Sequence, residues 1–146
     1  MFASGGTETR QGSMSLLGKP SRGSKRRVLI VDDQPIYRRM LSVELEREGF
    51  AVAVASNGTQ GVVQADIFGP DLVIMDITMP GIDGFEAMRR MLMWPHLRHI
   101  PVIVLSASSK SDDVMRAVAY GAVDYLSKPF KMGTIAKRVK EHLSIV

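Results

Sequence analysis

The chain has 146 residues, no cysteine and a net charge of +4 at neutral pH. That length fits one domain, and the lack of thiols excludes disulfides and thiolate metal sites. No apolar run approaches the ~20 residues that span a bilayer, and the N-terminus lacks the apolar stretch of a signal peptide, so a soluble cytoplasmic protein with no membrane association is expected.

The positive charge is unevenly spread. Residues 1–27 carry Arg10, Lys19, Arg22, Lys25, Arg26 and Arg27 against Glu8 alone, while residues 28–146 are close to neutral. A basic, Gly/Ser/Thr-rich segment with only Leu16 and Leu17 as neighbouring large hydrophobes buries too little surface to offset its ordering entropy. Residues 1–25 are therefore expected to be a disordered basic extension or a cloning remnant, and residues 26–146 the folded domain. A polyanion-binding tail is the alternative for the first segment.

From Val28 the pattern changes. Val28 to Val31 is a β-branched run that reads as a buried strand, and it ends in Asp32-Asp33. Pro35 suits the first turn of a helix. In that helix Ile36, Met40 and Val43 recur on one face, Leu41 and Leu45 widen the stripe, and Gly49 stops it. Ala51 to Ala55 is a second strand. The turn Ser56-Asn57-Gly58 leads into a weaker helix, Thr59 to about Ile67, which contains Gly61 and is broken by Gly69-Pro70. Leu72 to Met75 is a third apolar run, ended by Asp76 and then by Pro80-Gly81.

A helix over Gly84 to Met93 places Phe85, Met88 and Leu92 on one face, with Pro95 beyond its end. Ile100 to Leu105 is a fourth strand, with Pro101 tolerable only near its start. Ser111 to Ala119 is a helix followed by Gly121. Ala122 to Leu126 is a fifth strand. Lys131 to Leu143 is the last helix, with Ile135, Val139 and Leu143 at helical spacing.

Five strands alternating with five helices imply an α/β fold, a parallel sheet covered on both faces. The doubly wound, flavodoxin-like strand order 2-1-3-4-5 is the leading topology. In that order the first and third strands are neighbours, so Asp32, Asp33 and Asp76 meet at their carboxyl ends. Ser106 ends the fourth strand, and Lys128 follows the fifth. Three adjacent carboxylates repel one another and raise at least one pKa, and a hard divalent cation removes the repulsion. Magnesium also bridges phosphoryl oxygens, Lys128 adds a second positive point, and Ser106 can donate to a phosphoryl oxygen. The set looks like a place where a carboxylate attacks phosphorus and forms an acyl phosphate.

Each residue has a simpler reading. Asp32 or Asp33 would serve as a helix cap before Pro35. Tyr125 would be an ordinary strand aromatic, Ser106 a strand end, and Asp83 the first half of an Asp-Gly turn. His96, His99 and His142 lack metal-like spacing, and His96 and His99 are expected to face solvent. Met88, Met91 and Met93 read as adaptable core. The convergence of the acids with Lys128 favours the functional reading of the cluster.

The pieces Val28-Leu-Ile-Val-Asp32-Asp33, Asp76-Ile-Thr-Met-Pro80-Gly-Ile-Asp83-Gly84, Leu105-Ser106-Ala107 and Asp124-Tyr125-Leu-Ser-Lys128-Pro129-Phe130 fall in order, each at a strand end. With them the chain resembles, over about residues 27–144, the receiver domain of two-component response regulators of the chemotaxis-regulator type. The resemblance implies that Asp76 is the phosphoacceptor and that Asp32, Asp33, Asp76 and the backbone carbonyl of Thr78 hold Mg2+. It implies that Lys128 pairs with the phosphoryl group, that Ser106 binds it and moves, and that Tyr125 changes rotamer and remodels the face of helix 4, strand 5 and helix 5. It also implies a cis Lys128–Pro129 bond and a phosphohistidine donor on a sensor histidine kinase or histidine phosphotransfer protein. That donor would dock on the first helix, where Tyr37, Arg38 and Arg39 are the exposed candidates. The output would be a downstream protein target or effector domain, with homodimerisation through the helix 4, strand 5, helix 5 face conceivable.

In the family, the positions held here by Thr78 and Ser108 flank the path of the attacking water. Neither residue is an amide or a carboxylate, so a phosphoryl lifetime longer than in the fastest regulators is expected. A haloacid-dehalogenase-type phosphatase would need an aspartate two residues beyond Asp76, where Thr78 stands. A flavodoxin would need a phosphate loop where Asp32 and Asp33 stand. A receiver-like scaffold working without phosphorylation typically lacks an acid or the lysine, and all are present here. The chain is thus expected to be a signalling switch, not an enzyme in the usual sense, and no basic recognition helix points to direct nucleic-acid binding.

Overall fold

The computed structural model describes residues 24–145. The expected N-terminal extension lies almost wholly outside the described residues. The elements are β1 (Arg27–Val31), α1 (Pro35–Arg47), β2 (Ala51–Ala55), α2 (Gly58–Phe68), β3 (Leu72–Met75), α3 (Gly84–Leu92), β4 (Val102–Ser106), α4 (Ser111–Ala119), β5 (Ala122–Ser127) and α5 (Thr134–His142). The strands form one parallel sheet in the order β2-β1-β3-β4-β5, the doubly wound arrangement read from the alternation of elements.

Alternation along the central strands builds the two halves of the core. Leu29, Val31, Val73, Met75 and Val104 face α2, α3 and α4, where Ala65, Phe85, Met88 and Ala117 meet them. Val28, Ile30, Leu72, Ile74 and Ile103 face the other way, onto Leu41 and Leu45 of α1 and Ile135 and Val139 of α5. Successive strand residues point to opposite faces, so a strand buried on both sides has no polar position to give up until it ends. That is why the acids sit just past the strands. Gly61 lets α2 lie close on β1, since a Cβ there would be 2.9 Å from Val31 Cγ1.

Several element details depart from the sequence expectations. In α1 the buried face is Leu41, Glu44 and Leu45, while Ile36, Met40 and Val43 are exposed. The stripe is turned by one residue, and Glu44 on the inner face accepts the N–H groups of Gly133 and Ala136 at the start of α5. In α3, Met91 is buried and Leu92 and Met93 face out. β4 begins at Val102, not Ile100. Ile100 closes a turn onto Leu97, and Pro101 has no N–H for the ladder. α5 begins at Thr134, not Lys131, because the backbone from Lys131 is a turn and Gly133 caps the helix at φ 86°. Asp83 is the N-cap of α3, accepting the Glu86 N–H at 2.9 Å.

Candidate functional site

The ladder carries both central strands directly into the site. Asp32 N–H donates to Ala55 O at 3.1 Å and Asp76 N–H to Val31 O at 2.9 Å, so both acids are fixed by sheet bonds at the carboxyl edge. Ligands bind outside that edge where the strand order reverses, and here β1 and β3 flank the reversal. Asp32, Asp76 and Ser106 are buried, while Asp33 is half-buried.

Lys128 joins the two acids. Its N–H donates to Ser106 O at 2.8 Å, continuing the β4–β5 pairing and aligning the side chain. Its Nζ lies 2.7 Å from Asp32 Oδ2, 3.4 Å from Asp76 Oδ2 and 3.2 Å from Gln34 Oε1. The Lys128–Pro129 bond is cis. Asp76 Oδ1 accepts the Thr78 N–H at 3.2 Å. Burial pushes the Asp76 carboxyl above its ordinary range, the Lys128 ammonium pulls it back, and the Asp32 charge pushes it up again, with a net rise.

Asp32, Asp33 and Asp76 each offer a carboxylate oxygen, and these oxygens lie within 4.8 Å of one another. Hard oxygen donors converging from two strand ends fit a divalent cation such as magnesium. Neither acid after β1 is the cap of α1. Gln34 occupies that position, and Asp32 Oδ1 accepts its N–H at 2.9 Å.

Ser106 and Tyr125 are linked through one residue. Ser108 N–H donates to Ser106 Oγ at 3.1 Å, and Tyr125 Oη donates to Ser108 O at 2.8 Å. Ser108 Oγ donates to Asp113 Oδ2 at 2.5 Å, which ties the loop to the first turn of α4. Two of the three residues expected to be exposed for docking are engaged instead. Arg38 Nη1 donates to Asp32 O at 2.8 Å, and Tyr37 lies against Phe130 and Lys128, leaving Arg39 alone exposed. The contacts of Gln34 and Tyr37 with Lys128 are missed by sequence reasoning because their only signal is proximity to Asp33. His96 and His99 are exposed as expected, though His96 Nε2 pairs with Asp66 Oδ1 at 2.6 Å.

The model of the response regulator receiver domain matches residues 28–140. The chain belongs to this family. The receiver domain so defined is similar to Protein PilH of Pseudomonas aeruginosa, 39% identical over 118 residues, covering 81% of this chain and 98% of PilH. It is 42% identical over 113 residues to the KDP operon transcriptional regulatory protein KdpE of Escherichia coli, covering 77% of this chain and 49% of KdpE. The chain thus spans nearly all of one relative and about half of the other. The receiver domain of the sensor histidine kinase PA1611 from P. aeruginosa superposes with a TM-score of 0.76 at 27% identity, over 83% of this chain and 99% of that domain. That structure holds a magnesium ion coordinated in its active site cleft. Receiver domains are signalling switches of two-component systems and are not usually classed as enzymes. Among the described residues no helix is long and apolar enough to cross a membrane.

Proposed function

We propose that this receiver domain is a phosphorylation-gated switch in which Asp76 accepts a phosphoryl group from a phosphohistidine. The observation that carries this reading is the placement of Lys128 Nζ between Asp32 Oδ2 and Asp76 Oδ2, beside three carboxylates whose oxygens lie within 4.8 Å. A magnesium ion held by Asp32, Asp33, Asp76 and the Thr78 carbonyl would spread the charge that builds up on the phosphoryl oxygens.

In the transfer, an Asp76 carboxylate oxygen attacks phosphorus, the P–N bond breaks, and the imidazole leaves with the bonding electron pair. An ionised carboxylate is the nucleophile, so the ammonium of Lys128 keeps Asp76 reactive against the desolvation that favours its protonated form. Lys128 then follows the negative charge onto a phosphoryl oxygen. The Ser106 hydroxyl, which now accepts from Ser108 N–H, still has its own proton to donate to another. Movement of Ser106 pulls on Ser108, and Tyr125, bonded to the Ser108 carbonyl, transmits it to the face of α4, β5 and α5. That face would control a protein target, an effector domain or a second copy of the chain.

The donor is a sensor histidine kinase or a histidine phosphotransfer protein, and small donors such as acetyl phosphate substitute for it. Ser108 Oγ is committed to Asp113, and Thr78 offers only a hydroxyl. Neither residue orients an attacking water as an amide or carboxylate does, so a long phosphoryl lifetime is expected. The test is intact-mass measurement after incubation with acetyl phosphate and magnesium. Wild type should gain one phosphoryl group and Asp76→Asn none. Equal labelling of the two would refute the assignment. Lys128→Ala should still bind magnesium but lose the phosphorylation-dependent change at Tyr125.

A further inference from the structure

We infer that Tyr37 is a positioning residue for the phosphoryl-transfer site, its ring acting as a rest on which the Lys128 ammonium changes oxygen partners. The inference deepens the phosphoacceptor reading of Asp76 and rests on it. Lys128 Nζ lies 4.1 Å from the Tyr37 ring centroid, and the Lys128 side chain is only 5% exposed. A cation over the face of an aromatic ring is attracted by its quadrupole, and more strongly where water is excluded.

The geometry suits a group that must move without being released. An ammonium has three N–H donors, and here three oxygens stand around it, on Asp32, Gln34 and Asp76. The ring uses none of those donors. Its attraction is also indifferent to which oxygens the ammonium bonds, unlike a hydrogen bond, which is directional. When a divalent cation competes for the Asp32 oxygens and phosphoryl oxygens arrive beside Asp76, Lys128 has to exchange acceptors. Throughout that exchange the ring keeps the buried charge from being left without a partner.

Tyr37 is itself held in place. Its ring stands 5.8 Å from that of Phe130, two residues beyond Lys128, at an interplanar angle of 43°. The first turn of α1 and the connection from β5 to α5 therefore clasp the lysine from both sides. Gln34, which caps α1, contributes the polar contact on the same side.

The test compares Tyr37→Leu, which removes the ring face, with Tyr37→Phe, which keeps it. Two readouts are used. The first is the NMR shift of the Lys128 Cε protons, displaced upfield by a ring face. The displacement should persist in Tyr37→Phe and vanish in Tyr37→Leu. The second is the second-order rate of Asp76 phosphorylation by acetyl phosphate with magnesium, which involves no docking partner. Tyr37→Leu should lose roughly five- to thirty-fold in rate, Tyr37→Phe should largely restore it, and neither change should matter in a Lys128→Met background. A Lys128 shift unaltered in Tyr37→Leu, or an equal loss of rate in the Lys128→Met background, would overturn the inference. If Tyr37→Leu does not fold, Tyr37→Met makes the same comparison. Failure of the wild type to take up phosphate would sink the phosphoacceptor reading, and with it the catalytic part of this one. The NMR shift decides the placement of Lys128 on the ring in either case.

Discussion

Glu44 of α1 accepts the Ala136 N–H of α5 at 2.8 Å, across 92 residues of sequence. Its other oxygen accepts the Gly133 N–H at 3.1 Å. α5 has no side-chain cap of its own, so a buried carboxylate from another helix does that work where the helix dipole is positive. Replacing Glu44 with Ala leaves two N–H groups without an acceptor and should cost about 3 kcal/mol. Val43→Ala, one position away on the exposed side, should change stability by less than about 0.5 kcal/mol. Urea denaturation of the two variants measures the difference, and equal midpoints would count against the cap.

Gly84 packs against the backbone that carries Asp76. A Cβ there would lie 2.3 Å from Asp76 O and 2.7 Å from Ile77 Cα, and backbone cannot swing aside as a side-chain tip can. Gly84→Ala should therefore destabilise by about 3 kcal/mol and displace Asp76. Gly61→Ala meets only the Val31 side chain and should cost less. Thermal melts rank the two, and the reverse order would contradict the close approach.

The acidic cluster should respond to divalent ions. Magnesium binding to the folded chain alone raises stability with concentration, by about 2.7 kcal/mol at a hundredfold excess over Kd. Asp76→Asn should reduce that gain. In the presence of a chelator it should be more stable than wild type, because burial makes the ionised Asp76 costly. A melting temperature indifferent to magnesium would exclude the cation site.

The acid limb of the stability curve should carry the mark of Asp124. Burial alone would raise its carboxyl, but Arg138, His142 and the Tyr125 N–H outweigh burial and hold it below the ordinary 3.8. The contacts are 2.6 Å from Arg138 Nη1 and 2.9 Å from His142 Nε2. A depressed folded pKa gives stability that is present above 3.8 and lost as pH falls below it through the folded value. Asp124→Asn should be less stable than wild type near neutrality and converge on it in acid. Denaturation midpoints measured from pH 7 to pH 2.5 test this, and parallel curves would refute it.

The convergence of Asp32, Asp33 and Asp76 is legible in the sequence because the strands announce it. Val28–Val31 and Leu72–Met75 are apolar on both faces, so the first acid after each marks the edge of the sheet. The rotation of α1 is not legible. Ile36, Met40 and Val43 keep helical spacing as well as the true inner face does, and only the distant N–H groups of α5 explain why charged Glu44 turns inward. Tyr37 misleads for the same reason. Its polarity and position on α1 suggest surface, and the ring's partners, Lys128 and Phe130, come from the other end of the chain. Local pattern finds what a strand end presents, whereas contacts between distant segments require the fold.

Lys128 reaches back 96 residues to Asp32. A chain emerging during synthesis thus has all three acids long before it has the lysine that pairs with Asp32 and Asp76. The charge pairing at the sheet edge is complete only when β5 has docked and brought Lys128 to Asp32 and Asp76. The last strand acts as a completeness check, so a copy clipped before Lys128 would keep the acids yet lack the buried ammonium that sits between them.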